Sequence, residues 1–135
     1  MIKSGNIITI KGQDYRLYGK PLDQYWQENG NKPAFSFSSS PLDTGYFAHW
    51  IIEDGKLYLL EFTGEIMFSF ETVSFESQFP GQTLPLLADW FSGTLQVQAG
   101  KPISYNYHFG NTMEYTFCIE IKAGVQINIT MKDAG

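Results

Sequence analysis

The chain has 135 residues, nine basic against fourteen acidic, a formal charge of −5, and a balance of 43% hydrophobic to 17% charged residues that belongs to a folded domain rather than a disordered one. About two-thirds of the surface of an unfolded chain this long can be buried, so one core is expected without metal or disulfide support. The few basic residues form no cluster, which argues against nucleic acid; no long uncharged apolar run argues for a membrane span; and Cys118 alone can form neither an internal disulfide nor a multi-cysteine zinc site.

Alternation of apolar and polar residues governs the chain. Residues 7–11 read as a strand, and a Gly12-Gln13 turn into 14–18 would set Lys11 opposite Asp14, Ile10 opposite Tyr15 and Ile8 opposite Leu17. Residues 21–29 read as a short helix, with Pro21 in its first turn, Leu22, Tyr25 and Trp26 on one face, and Gly30 as its stop. Phe35, Ser36 and Phe37 are strand-like before a serine-rich loop.

The strongest hairpin signal is Asp54-Gly55 between 47–53 and 56–62. Its two-residue turn pairs Ile52 with Leu57, Trp50 with Leu59 and Ala48 with Glu61, and both faces are largely apolar, so coverage on both sides is expected. Residues 66–70 read as a further strand, Phe79-Pro80-Gly81 as a turn, 84–91 as a short helix, and Leu95 and Val97 as part of a strand.

The last third reads as a three-stranded meander. A Lys122-Ala123-Gly124 loop with Gly124 left-handed sets Ile121 opposite Val125, Ile119 opposite Ile127 and Phe117 opposite Ile129. A Gly110-Asn111-Thr112 loop sets Phe109 opposite Met113, Tyr107 opposite Tyr115 and Tyr105 opposite Phe117. The other face carries Ser104, Asn106, His108, Glu114, Thr116, Cys118, Glu120, Gln126, Asn128 and Thr130, and is expected to be the solvated one. The architecture is therefore one mainly β domain over residues 1–135: an antiparallel meander of about eight strands, as a sandwich or a partly open barrel, with one or two short helices.

No phosphate loop, paired-cysteine motif or helical histidine pair is present. The least unlikely acid/base set is His49, Asp89 and Glu61, and His49 reads first as a hydrogen-bonded structural histidine because no nucleophile motif accompanies it. Cys118, between Thr116 and Glu120, reads as unreactive. Aromatic residues make up 16% of the chain. Most are expected in the core, while Tyr18, Trp26, Tyr46, Trp50 and Trp90, near turns and element ends, are the rings to watch for binding.

The run from Gly45-Tyr46-Phe47-Ala48-His49-Trp50 through Asp54-Gly55-Lys56-Leu57-Tyr58-Leu59 to Ala88-Asp89-Trp90-Phe91-Ser92-Gly93 resembles a family of small, single-domain, uncharacterised bacterial proteins. The resemblance extends from about Tyr15 to the C-terminus and implies one bacterial domain, with no activity to carry over. Where that family has a polar or basic loop ahead of the Gly-Tyr step, this chain has Ser39-Ser40-Pro41-Leu42-Asp43-Thr44, without an arginine.

The first residues contain no apolar signal core, so the expected location is the cytoplasm. The expected function is a small protein-binding module, immunity- or inhibitor-like, without catalysis or cofactor. The alternative is a small-molecule binder with an aromatic-lined pocket. The expected partner is accordingly a protein or a small ligand, not nucleic acid or membrane, and the chain is a monomer or a homodimer through an exposed strand edge.

Overall fold

The first hairpin joins β1 (Gly5–Ile10) to β2 (Gln13–Tyr18) in a computed structural model that describes residues 5–30, 33, 35, 45–66, 71–106 and 110–133. Its turn is Lys11-Gly12, one residue earlier than expected, and both turn residues have positive φ, 52° and 80°. Ile10 therefore faces Gln13 and Ile8 faces Tyr15. The shift displaces each partner by two residues, so Ile8 and Leu17 stay on the same buried face.

Helix α1 (Pro21–Asn29) follows as its pattern predicts, and Gly30 ends it at φ 68° with its N–H on the Trp26 carbonyl. Leu22 and Trp26 are buried. A helix this short persists because that face docks on the sheet.

Strands β3 (Tyr46–Glu53) and β4 (Lys56–Glu65) turn at Asp54-Gly55 with the expected pairs Ile52↔Leu57 and Trp50↔Leu59. A bulge between His49 and Trp50 then changes the register, so Ala48 faces Phe62 and His49 faces Glu61. The bulge keeps Phe62 buried and Glu61 in water, which the regular pairing of Ala48 with Glu61 would not do. The hairpin is also less covered outside than expected: Ile51, Tyr58 and Leu60 are half-buried.

Phe35 forms an isolated bridge with Ile66, while the strand expected for 66–70 lies otherwise outside the described residues. β5 (Thr72–Ser74) leads into α2 (Phe75–Gln78), whose first turn is capped by the Ser74 hydroxyl accepting from Ser77 N–H. Phe79-Pro80-Gly81 is a turn, closed by Gln82 N–H on the Phe79 carbonyl at 3.1 Å. The helix expected over 84–91 is absent. Its place is taken by the two-residue strand β6 (Leu86–Leu87), paired with Tyr58 and Leu59. The edge of β4 away from β3 offers hydrogen-bonding groups there, and that long-range pairing outweighs the weak local helical pattern.

β7 (Gly93–Asn106), β8 (Gly110–Lys122) and β9 (Val125–Asp133) form the meander. Two registers differ from expectation. Tyr105 faces Asn111 and Phe117 faces Val97, and residues 107–109, His108 included, lie outside the described residues. At the other turn, Ala123-Gly124 is a two-residue loop with φ 49° and 80°. A bulge between Glu120 and Ile121 follows, so Ile119 faces Ile129 and Phe117 faces Met131.

The strand order β3-β1-β2-β7-β8-β9-β4, with β3 and β4 also paired, closes a seven-stranded barrel to which β5 and β6 add along β4. It is not a simple meander, because β1 and β3 are parallel, with Ile8 level with Trp50. Ile8, Leu17, Trp50, Leu57, Leu59, Leu95, Val97 and Ile119 fill the interior. Helix α1 covers the end where Tyr46 and Phe62 stand, through Trp26.

The closure between β9 and β4 is a single rung, Lys56↔Val125. The two hairpin turns meet there corner to corner: Leu57 N–H bonds the Gly124 carbonyl at 2.8 Å, Gln126 N–H the Gly55 carbonyl at 2.8 Å, and Gly124 N–H the Phe91 carbonyl at 3.0 Å. Beyond this corner β4 continues with β6 and β5, and β9 runs the other way.

Candidate binding edge

Of the five rings singled out from the sequence, three are core. Trp26, Tyr46 and Trp50 are buried, and the two indoles are satisfied internally. Trp26 Nε1–H donates to Gln78 Oε1 at 3.0 Å and Trp50 Nε1–H to Asn6 Oδ1 at 2.9 Å. Burial and the nearby Asp23 carboxylate push the Tyr46 hydroxyl well above the usual phenol range, although a hydrogen bond from Asn6 works against this. Trp90 is half-buried, bonds the Pro21 carbonyl, and packs on Tyr25, Phe79 and Trp50. Tyr18 is half-buried at the end of β2. Trp26 and Trp90 tie α1 to the barrel, and the rings of Trp26, Tyr46, Trp50 and Trp90 pack on other aromatic rings.

The acid/base set separates. His49 and Glu61 are register partners on β3 and β4, but Asp89 follows β6, on the far edge of β4 from β3. His49 instead joins two residues that sequence reasoning missed. Thr9 Oγ1–H donates to Asp14 Oδ1, and His49 Nε2 lies 2.7 Å from the same hydroxyl oxygen. A hydroxyl has one proton, so its oxygen accepts from His49 Nε2–H, which fixes that tautomer. The His49–Asp14 separation is 3.8 Å. This chain ties three adjacent strands together on the outside of the barrel. The hydroxyl proton is directed at an exposed carboxylate rather than at the imidazole, which is not how a serine- or threonine-type nucleophile is prepared. The signal was the cross-strand pair Thr9↔Asp14, hidden by the misplaced turn. Among the described residues no cluster of three or more His, Cys, Asp or Glu could hold a metal, and no helix is long and apolar enough to cross a membrane.

The feature with an unmet need is β9. Its polar face is solvated as expected, with Asn128 and Thr130 exposed. Its apolar face, expected to be covered, is not: Ile127, Ile129 and Met131 are 60, 44 and 57% exposed, while Val125, opposite Lys122 ahead of the bulge, stands on the other face. Ile129 and Met131 face Ile119 and Phe117, so this row continues the barrel's inner face past the point where the barrel closes. The reason is the corner-to-corner closure, which leaves the second edge of β9 from residue 127 onward without a paired strand among the described residues.

The other long edge of the same three strands differs. β2 pairs with β7 only at Leu17↔Val97 and Tyr18↔Gln96. Beyond that, the register of β7 breaks on both sides of Pro102. Proline and bulges blunt an edge against pairing. β9 has no proline, its one register break lies at Ile127 where the open stretch begins, and its charges are confined to Lys132 and Asp133.

No family model matches the chain, and no match is found among the curated proteins or among solved structures.

Proposed function

We propose that this chain is a non-catalytic protein-binding module whose contact surface is β9, taking an extended polypeptide as an added strand. The observation that carries the reading is the coincidence, on one strand, of an open backbone edge and a row of exposed apolar side chains. Strand addition uses both: main-chain hydrogen bonds supply affinity and alternate side chains supply selectivity. Exposed apolar surface of this kind marks an interaction site on a folded protein. A small-molecule pocket lined by Trp26, Tyr46 and Trp50 draws less support, because those rings are buried in mutual contacts. Membership of the bacterial family resembled above, and a cytoplasmic location, belong to the same proposal.

The test is a titration of the isotope-labelled protein with a panel of short peptides of alternating apolar and polar sequence, followed through backbone amide shifts. Saturable shifts confined to β9 and its β8 neighbours support the reading. Shifts clustered at Thr9, Asp14 and His49 instead, with β9 silent, contradict it.

A further inference from the structure

We propose, resting on that reading, that the strand added to β9 is β9 of a second copy of this chain, paired antiparallel about a twofold axis at Thr130. The open stretch runs from Ile127 to Asp133, and an axis at Thr130 uses all of it. Residue 127 then meets 133 of the second copy, 128 meets 132, 129 meets 131, and Thr130 meets Thr130.

Three observations favour this occupant. The first is pattern. Antiparallel pairing about a residue preserves alternation, so Ile129 comes beside Met131 on the apolar face and Asn128 beside Lys132 on the polar one. The rows exposed in the single chain thus become neighbours of one another. The second is charge. The chain carries −5, yet β9 holds one lysine and one aspartate, which cancel. In this register neither meets its own kind, so an acidic protein can pair with itself here without opposing like charges.

The third is closure. An edge that pairs with itself through a twofold axis makes a finite dimer, whereas a head-to-tail contact needs two competent edges and grows without limit. The arm has one edge that is regular over most of its open length, Asn128 to Asp133 of β9, because the register of β7 breaks on both sides of Pro102. Pairing β9 with its copy therefore stops at two chains and yields a continuous sheet in the order β7-β8-β9-β9-β8-β7.

The experiment is sedimentation equilibrium on the full chain, with two variants. The wild type is expected to move from the mass of one chain to twice that mass as concentration rises, with no larger species. Thr130→Lys puts two ammonium groups opposite each other on the axis while sitting on a solvated face, so the fold, followed by circular dichroism, is retained and the dimer weakens about 10-fold or more. Thr130→Cys in a Cys118→Ser background is expected to oxidise to a covalent dimer, because directly opposed strand residues bring their Cα atoms within disulfide reach.

A wild type that stays monomeric at every concentration overturns self-pairing. So does a dimer that Thr130→Lys leaves untouched and Thr130→Cys does not cross-link. The peptide titration separates this failure from failure of the broader reading: β9 shifts with peptides in a monomeric protein retain strand addition and discard the second copy. Silence in both experiments discards the two together.

Discussion

The body of the barrel and the arm that leaves it are built from the same alternating sequence, yet one half is closed and the other open. In the body, Trp26, Phe35, Tyr46 and Phe62 meet with ring centroids 5.1–6.3 Å apart, and α1 covers them. In the arm, Ile127, Ile129 and Met131 are 44–60% exposed. The difference is one of connection rather than composition. Strands β3 and β4 share eight register pairs, whereas β4 and β9 share one, and each inner face is covered only as far as its neighbour continues. Alternation says which residues share a face. Closure decides whether that face is inside.

Substitutions break this comparison in a graded way. The largest effect is expected in the body: Trp26→Ala removes a buried indole from its ring contacts with Phe35, Tyr46 and Phe62 and takes the indole donor from Gln78 Oε1, at a cost of about 3–5 kcal/mol. Denaturant unfolding measures it. Next comes the joint between the halves. Gly124 has φ 80°, and a Cβ there would stand 2.8 Å from the Ala88 carbonyl oxygen. That backbone atom cannot swing aside, so Gly124→Ala is expected to cost about 2–3 kcal/mol and to loosen the amides of Leu57 and Gln126, visible by hydrogen exchange.

A smaller effect is tied to pH. The Tyr46 hydroxyl loses its proton less readily in the folded chain than at its ordinary value of 10.0. Folding is then favoured fully below pH 10, and the advantage drains away above it, where the unfolded chain ionises and the folded one does not. The unfolding midpoint should fall above pH 10 in the wild type, and Tyr46→Phe should flatten that part of the profile. The smallest change in stability belongs to the arm: Ile127→Lys replaces a side chain already 60% exposed and should alter unfolding by less than about 0.5 kcal/mol. If it costs several kilocalories, the arm is not the open surface described here.

Much of this was legible in the sequence because short-range rules govern it. The Asp54-Gly55 turn, the 21–29 helix with its Gly30 stop, and the left-handed Gly124 each depend on a few adjacent residues. Misreadings cluster where a distant strand decides. The 84–91 segment is extended because β4 offers it an edge, and the bulges at His49/Trp50 and Glu120/Ile121 exist because burial of Phe62 and of Ile119 beside Ile129 outweighs regular pairing. The site was the least legible part. Ile127, Ile129 and Met131 look like core in any alternating strand, and the five rings chosen for a binding role are interior or half-buried. The sequence did contain one usable signal, Pro102, which marks β7 as an edge and points by elimination to β9 as the edge that is not guarded.

Amide hydrogen exchange along the two edges of the arm, followed from low to high protein concentration, tests the central claim most directly. Amides from Ile127 to Asp133 are expected to gain protection as concentration rises, while those of β7 around Pro102 do not change. Equal, concentration-independent exchange on both edges, or protection gained on β7 instead, would contradict it.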